Sequence, residues 1–425
     1  MFGQLSPGVY LLASCVFLVD LVDLVVRLYL RRQHTLQLAA QVPATSVVIS
    51  VGTFTPYEIE RHLRPFALIA SIHNATGELE RFVRSIEPFR DRVWVIDDGS
   101  SDDSAASLAA LGIRCVRSPD NRRKPGALKV LMAELPPTIE TVIVLDPDAR
   151  ILTDRNEFGR ILFEFQRTGM AAMCPRIDAC GRGWLARIQR LEYWLAFSLG
   201  RKSLADFCIT SGVAVYRADA LRRVLSEHTL SVYAEDLENA LILLAGGEGI
   251  YYDGRLVIET DAVQTGARLF SQRVGWHYGL IRVYLQRWRT LRHRARGDFG
   301  FAYQFLIYIG AFMLLLHPLK ILSVALLTVS AVNGVDNLLG LNQLPDTRLT
   351  NALYFPIVYV EYLALMVFAS MVGVGRGDRR AVLAIVPLYP LYALAHIVPA
   401  TLGYLNWFSL RLWGRRVYRD HYQSA

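Results

Sequence analysis

An α/β domain set between membrane-spanning α-helices is the architecture the sequence predicts, and three observations predict it. The 425 residues are 53% hydrophobic with a mean hydropathy of +0.27, too apolar for an ordinary soluble chain. Long apolar runs sit at both ends, over residues 7–30, 301–332, 351–375 and 381–405. Between about 66 and 265 those runs give way to short β-type strings alternating with helical stretches, the pattern of an α/β domain.

The first run, Pro7 to Leu30, is long enough to cross a hydrocarbon core of about 30 Å at about 1.5 Å per residue, and it stops at Arg31 and Arg32. Its uncharged start and basic exit read as a retained anchor over residues 1–32 with the N-terminus outside, not as a cleaved signal peptide. Asp20, Asp23 and Arg27 fall on one helical face there, through local pairing or as part of a polar path. Residues 33–65 read as a linker. Within 66–264, "FALIASI" (66–72), "RVWVIDD" (92–98), "IRCVRS" (113–118) and "TVIVLD" (141–146) are predicted strands, with helices such as "GELERFVRSI" between them.

Residues 265–299 mix aromatics with many arginines and few acids, as a basic amphipathic helix on a membrane surface does. Residues 300–410 form a C-terminal transmembrane region of three apolar runs. The first of these is long and carries Pro318 and Lys320, so it divides into one crossing or an interfacial helix plus a span. A basic tail, 411–425, favours the cytoplasm, whereas four spans from an outside N-terminus leave it outside. That conflict stays open.

In a parallel sheet, ligands bind beyond the carboxyl ends of the strands, and both acidic clusters fall there. Asp97 and Asp98 end one predicted strand; Asp146 and Asp148 end another. For "DDGSSDDS" alone, turn formation and helix capping weigh as much as a functional role. Proline between Asp146 and Asp148 lets both carboxylates face one hard cation such as Mg²⁺ or Mn²⁺, with coordination left over for a diphosphate. The five cysteines, Cys15, Cys115, Cys174, Cys180 and Cys208, show neither zinc spacing nor a disulfide framework, which suits a cytoplasmic setting. A net charge of +8 has no nucleic-acid motif behind it, and reads as arginines flanking anionic lipid.

The ordered set "VIDDGSSDDS", "NRRKPGALK", "VLDPDAR", "ITSGVAVYRADAL", "YAEDLENALILLAGG" and "QRVGWHYG" resembles the membrane-embedded family 2 glycosyltransferases. These include cellulose, chitin and hyaluronan synthases and the rhizobial Nod-factor chitin-oligosaccharide synthase, whose "EYWLA" string is also matched within "RLEYWLAFSLGRKS". The resemblance runs from about Phe66 to Trp288 and implies a glycosyltransferase A-type fold. It implies that Asp97 and Asp98 bind the uridine part of a UDP-sugar and that Lys124 meets the nucleotide or its phosphates. Asp148 becomes the metal ligand, with Asp146 beside ribose, diphosphate and metal. Asp236, next to Glu235, becomes the general base, which suits an inverting transfer that needs one carboxylate to deprotonate the acceptor.

On the acceptor side the resemblance implies Ser211 and Gly212 in a small-residue turn, with Gln272 and Trp276 from the family's Q-x-x-R-W. Gly275 stands where that motif has arginine, so Arg273, or Arg287 of the later "QRW", is left to supply charge to the diphosphate. The first strand's motif also departs: Asn74 is kept, but the nearest following acid is Glu78, and His73 precedes it. The expected function is an inverting, metal-dependent hexosyl transfer from a UDP-sugar to a growing extracellular or capsular polysaccharide. The site would sit on the cytoplasmic side of a bacterial inner membrane, with export or assembly partners unassigned. Transfer to a lipid acceptor, or a non-catalytic nucleotide- or polymer-binding role, are the alternatives.

Overall fold

The computed structural model describes residues 61–315, apart from Ala205, Asp206 and Val232, and residues 384–420, with isolated positions elsewhere. The expected anchor, most of the linker and the run at 351–375 lie outside the described residues.

Eight strands form one sheet: β1 (Phe66–Ile72), β2 (Val93–Asp98), β3 (Cys115–Ser118), β4 (Thr141–Leu145), β5 (Arg150–Ile151), β6 (Ala172–Cys180), β7 (Ala214–Arg217) and β8 (Ile250–Asp261). Their order is β3-β2-β1-β4-β7-β6-β8-β5. The first four run parallel, and β7 enters antiparallel to both β4 and β6. The four predicted strands are all present, each within about two residues of its predicted bounds. Every residue of β4 is buried, as a central parallel strand covered on both faces requires, and its continuous Val-Ile-Val-Leu run meets that need.

Helices cover the faces. In α1 (Thr76–Ile86) the buried residues Leu79, Phe82, Val83 and Ile86 recur at helical spacing and seat the helix against the sheet. Next come α2 (Ser104–Ala110), α3 (Arg123–Glu134) and α4 (Arg155–Thr168). The last starts where the Asp154 carboxylate accepts from the Asn156 and Glu157 amides, and it stops at Gly169, whose φ of 72° is left-handed. Then follow α5 (Trp184–Trp194), α6 (Ala218–Glu227) and α7 (Glu235–Ala245).

The basic segment is a single long helix, α8 (Gly266–Arg294), but it does not simply lie on a surface. Leu269, Arg273, Val274, Gly275, Tyr278, Ile281, Val283 and Tyr284 are all buried. A short α9 (Phe299–Ala302) continues into a π-type helix over Tyr303–Leu315. Near the C-terminus, α10 (Tyr389–Ala395) and α11 (Ile397–Trp413) are nearly continuous. Among the described residues, Val386–Trp413 is the one helical run long and apolar enough to cross a membrane. It extends past the expected boundary at 410, so the start of the basic tail is helical.

Candidate active site

The carboxyl ends of β1, β2 and β4 face the loops that begin α1, α3 and α7. Four non-glycine residues among those described have left-handed φ, and they crowd these loops: Asn74 (51°), Arg123 (62°), Leu230 (58°) and Ala234 (54°). Such backbone is tolerated where the surroundings over-determine it, which is characteristic of functional sites.

Lys124, in the first turn of α3, is the hub. Its ammonium is bonded to the Asp146 carboxylate, donates to the Gly212 carbonyl at 2.8 Å and lies 3.8 Å from Glu235. Burial works against that charge, but Asp146 and then Glu235 outweigh it and raise the lysine's affinity for its proton. A Cβ at Gly212 would lie 2.6 Å from Asp146 Oδ2 and 3.3 Å from Lys124 Nζ, so only glycine lets this turn approach the pair. Thus Lys124, Asp146, Gly212 and Glu235, from four separated stretches of sequence, meet at one point.

Glu235 and Asp236 open α7. Burial first, with Asp236 and Asp146 adding repulsion against the pull of Lys124, pushes Glu235 up to about 7. Burial likewise raises Asp236, with Arg201 and Lys124 pulling the other way. Asp236 accepts from the Leu237 amide at 2.8 Å, and its backbone carbonyl accepts from the Thr210 hydroxyl at 2.8 Å. The first-turn position also places both carboxylates at the positive end of the helix dipole.

Asp148 accepts from the Thr260 hydroxyl at the end of β8, at 2.6 Å. Burial and then the adjacent Asp146 raise its affinity for a proton. Two half-buried carboxylates that repel one another are the donors a hard divalent cation relieves. Among the described residues no group of three His, Cys, Asp or Glu side chains could hold an ion unaided, so a cation here would be completed by oxygens of a bound ligand.

The nucleotide-side acids divide. Asp97 is fully buried, and its Oδ1 accepts from the Ser100 amide at 3.1 Å. Its Oδ2 has no hydrogen bond among the described residues, with the exposed Arg117 Nε at 3.6 Å. A buried acceptor in that state is where a ligand's N–H or O–H gains most. Asp98 instead accepts from the Arg122 amide at 2.8 Å, and its carbonyl contacts His73 Nδ1 at 2.9 Å. The rest of "DDGSSDDS" is local structure, as Asp102 accepts from the Thr76 hydroxyl at 2.8 Å and the Ser104 amide at 3.0 Å. The turn-and-cap reading therefore describes Asp102, while Asp97 keeps one carboxylate oxygen without a hydrogen bond among the described residues.

Of the expected acceptor residues, Gly212 and the adjacent Ser211 belong to the Lys124 cluster, whereas Gln272 and Trp276 form a second group with Arg273. Arg273 is buried and donates to Glu192 of "EYW" at 2.7 Å and to Gln272 at 2.7 Å, while its guanidinium sits 4.0 Å from the centre of the partly exposed Trp276 ring. The Tyr392 hydroxyl also donates to Glu192, at 2.7 Å. Arg273 is thus neutralised by Glu192 and is not bonded to the Lys124 and Asp146 cluster. Between the groups lies Tyr193, raised to about 12 mainly by burial and sensitive to Arg273, Glu192, Asp148 and Asp146. Gly275 is buried on α8. Arg287, the other candidate charge, is bonded to Glu238 at 2.9 Å. Ser211 donates to the Val213 carbonyl. Sequence reasoning missed Glu192, Tyr193, Thr210 and Thr260. Only Glu192 and Tyr193 carried a signal, through their place in "EYWLA".

Residues 68–225 match the family described as glycosyl transferase family 2. Curated relatives named "N-acetylglucosaminyltransferase" include one from Mesorhizobium japonicum, 24% identical over 220 residues, covering 47% of this chain and 51% of the relative. Another, from Rhizobium meliloti, is 23% identical over 234 residues, covering 49% and 54%. The chain spans about half the length of the curated relatives it matches. The structure of "Mannosyltransferase PcManGT from Pyrobaculum calidifontis in complex with GDP-Man and Mn2+" superposes with a TM-score of 0.55 at 15% identity, over 96% of this chain and 100% of that one, which is a likeness of fold.

Proposed function

We propose that this glycosyltransferase, in which residues 68–225 carry the family 2 domain, moves a sugar with inversion from a UDP-sugar to a membrane-associated acceptor. The observation that carries the reading is the convergence of Lys124, Asp146, Gly212 and Glu235, with Asp236 and Asp148 beside them. In that reading Asp97 Oδ2 and the Asp98 loop receive the uridine. Lys124 meets the diphosphate at the start of α3, where backbone amides and the dipole also favour an anion.

Asp236 is the general base. Its raised proton affinity suits it to take a proton from an acceptor hydroxyl; the Leu237 amide orients its carboxylate, and the Thr210 hydroxyl holds its backbone carbonyl. Asp148, with Asp146, would hold Mg²⁺ or Mn²⁺, which when bound supplies positive charge to the departing diphosphate. Gln272 and Trp276 line the acceptor approach, and Ser211 and Gly212 leave room for the sugar. Arg273, neutralised by Glu192, braces the Trp276 ring instead of supplying charge to the diphosphate.

The expected acceptor is a growing extracellular or capsular polysaccharide. A lipid acceptor is the second reading, favoured by the small number of apolar runs in the sequence, since a polymer path needs enough helices to enclose it. The catalytic domain is assigned to the cytoplasmic side of a bacterial inner membrane, with the bilayer as its support.

The test is nucleoside diphosphate release by the purified full chain with Mn²⁺ or Mg²⁺ across UDP- and GDP-sugars, sizing any product. The names of the rhizobial relatives make UDP-N-acetylglucosamine the first donor to try. Metal-dependent UDP release supports the reading, and product length divides polymer from glycolipid. GDP release alone would replace the donor assignment, and no release from folded protein with any donor would overturn the activity.

A further inference from the structure

We infer that residues 415–420, the segment after the last helix, are a clamp that positions the Glu235 and Asp236 carboxylates by gripping Tyr233. The inference rests on the reading of Asp236 as the base. It concerns residues that no expected role involves, since the tail otherwise reads only as a basic end that favours the cytoplasm.

The segment is built in, not draped. α11 ends at Gly414, whose φ of 66° turns the chain back along the helix. Asn406, fully buried on α11, accepts from the Val417 amide at 3.0 Å and the Tyr418 amide at 2.9 Å, and donates to the Tyr418 carbonyl at 2.9 Å. One side-chain amide thereby substitutes for a turn of secondary structure. The Ser409 hydroxyl holds the Arg415 carbonyl at 2.6 Å, and Tyr418 packs edge-on against Phe270 of α8 with centroids 5.5 Å apart.

What the segment grips is Tyr233. The Tyr233 hydroxyl donates to Asp420 at 2.9 Å and receives a hydrogen bond from Arg416 at 2.7 Å. Arg416 is also paired with Asp420, which is fully buried, and its guanidinium lies 4.8 Å and 4.5 Å from the ring centres of Tyr233 and Tyr278. Buried charge in this arrangement is costly unless every partner is placed, so it enforces one geometry.

The next residue after Tyr233 is Ala234, held at φ 54°, and Glu235 and Asp236 follow at once. α8 supports the same turn from the other side. A Cβ at Gly279 would lie 2.9 Å from Ala234, and Arg282 donates to the Tyr233 carbonyl at 3.0 Å. α11 meets α8 equally closely, since a Cβ at Gly403 would lie 2.8 Å from His277. A left-handed alanine is strained and persists only when its surroundings impose it. The tail and α8 together do so, and the carboxylates inherit their position.

The test uses the full chain with Asp420→Asn, Arg416→Ala and Tyr233→Phe, the last removing only a hydroxyl. Hydrogen exchange over residues 231–240 should accelerate about tenfold or more in each variant, while exchange in β1 and β4 stays unchanged. With a working donor, kcat should fall about ten- to a hundredfold at unchanged donor KM, because a base displaced by about 1 Å loses its alignment but not the donor's contacts. Unchanged exchange at 231–240, or faster exchange there with wild-type kcat, overturns the clamp. If no donor is turned over by the unaltered chain, the activity reading fails by itself, and the exchange comparison still decides whether the tail holds this loop.

Discussion

The Lys124 ammonium lies 3.8 Å from the Glu235 carboxylate while bonded to Asp146, so one cation serves two acids, and burial still pushes Glu235 up to about 7 against its pull. The sign of the resulting pH dependence runs opposite to that of most acids. Glu235 titrates at about 7 in the folded chain and at 4.5 in the unfolded one, so the folded state holds the extra proton between those values. Its contribution to stability therefore declines as pH rises from 4.5 to about 7 and is flat outside that window. Denaturant unfolding of Glu235→Gln should show the variant gaining on the unaltered chain across that window; a constant difference from pH 4.5 to 7 would contradict the shift.

Lys124→Met removes the group that most lowers Glu235 after burial has raised it. The acid limb of the kcat/KM profile should move to higher pH, and donor KM should rise on the order of tenfold, the worth of one charged hydrogen bond. A steady-state pH series checks both.

Asp236→Asn and Asp148→Asn should separate. Loss of a general base should cost about 10²–10⁴ in kcat with metal-dependent UDP binding preserved, whereas the Asp148 variant should lose that binding. Calorimetric titration of UDP with Mn²⁺ beside single-turnover rates measures the two. Wild-type turnover by Asp236→Asn would remove it from the base role.

Gly212→Ala puts a methyl group 2.6 Å from Asp146 Oδ2, closer than a Cβ can approach, so the Asp146 carboxylate or the turn must shift. Donor affinity should fall with little change in melting temperature. Equal affinity would mean that the turn has room to give.

Glu238 is fully buried and binds Arg287 at 2.9 Å, Arg282 at 3.5 Å and the Thr229 hydroxyl at 2.6 Å, with His228 at 3.6 Å. Truncation in Glu238→Ala strands those cations and should destabilise by about 3–5 kcal/mol. Chemical denaturation of the detergent-solubilised chain is the measurement.

Part of the candidate site was legible because it is local: strand ends put Asp97 and Asp146 on one edge, and small residues mark the turns that approach them. The other half of the sheet was not. β6 contains Pro175, and its register with β8 shifts between Pro175 and Arg176, so the string lacks a clean alternation. Pairings across long separations were equally hidden. Arg273 read as a free charge on an amphipathic helix, yet its partner Glu192 lies 81 residues earlier, and the tail's hold on Tyr233 spans 187. Side-chain type announces a need for a partner but not which partner meets it.

The inward turn of the α8 arginines changes what the chain presents to its surroundings. Arg273, Arg282 and Arg287 are neutralised by Glu192 and Glu238, while Arg268 toward one end of the helix and Arg289 and Arg292 toward the other stay exposed. The formal charge of +8 thus overstates the outward electric field of this helix, whose open cations flank a neutralised middle.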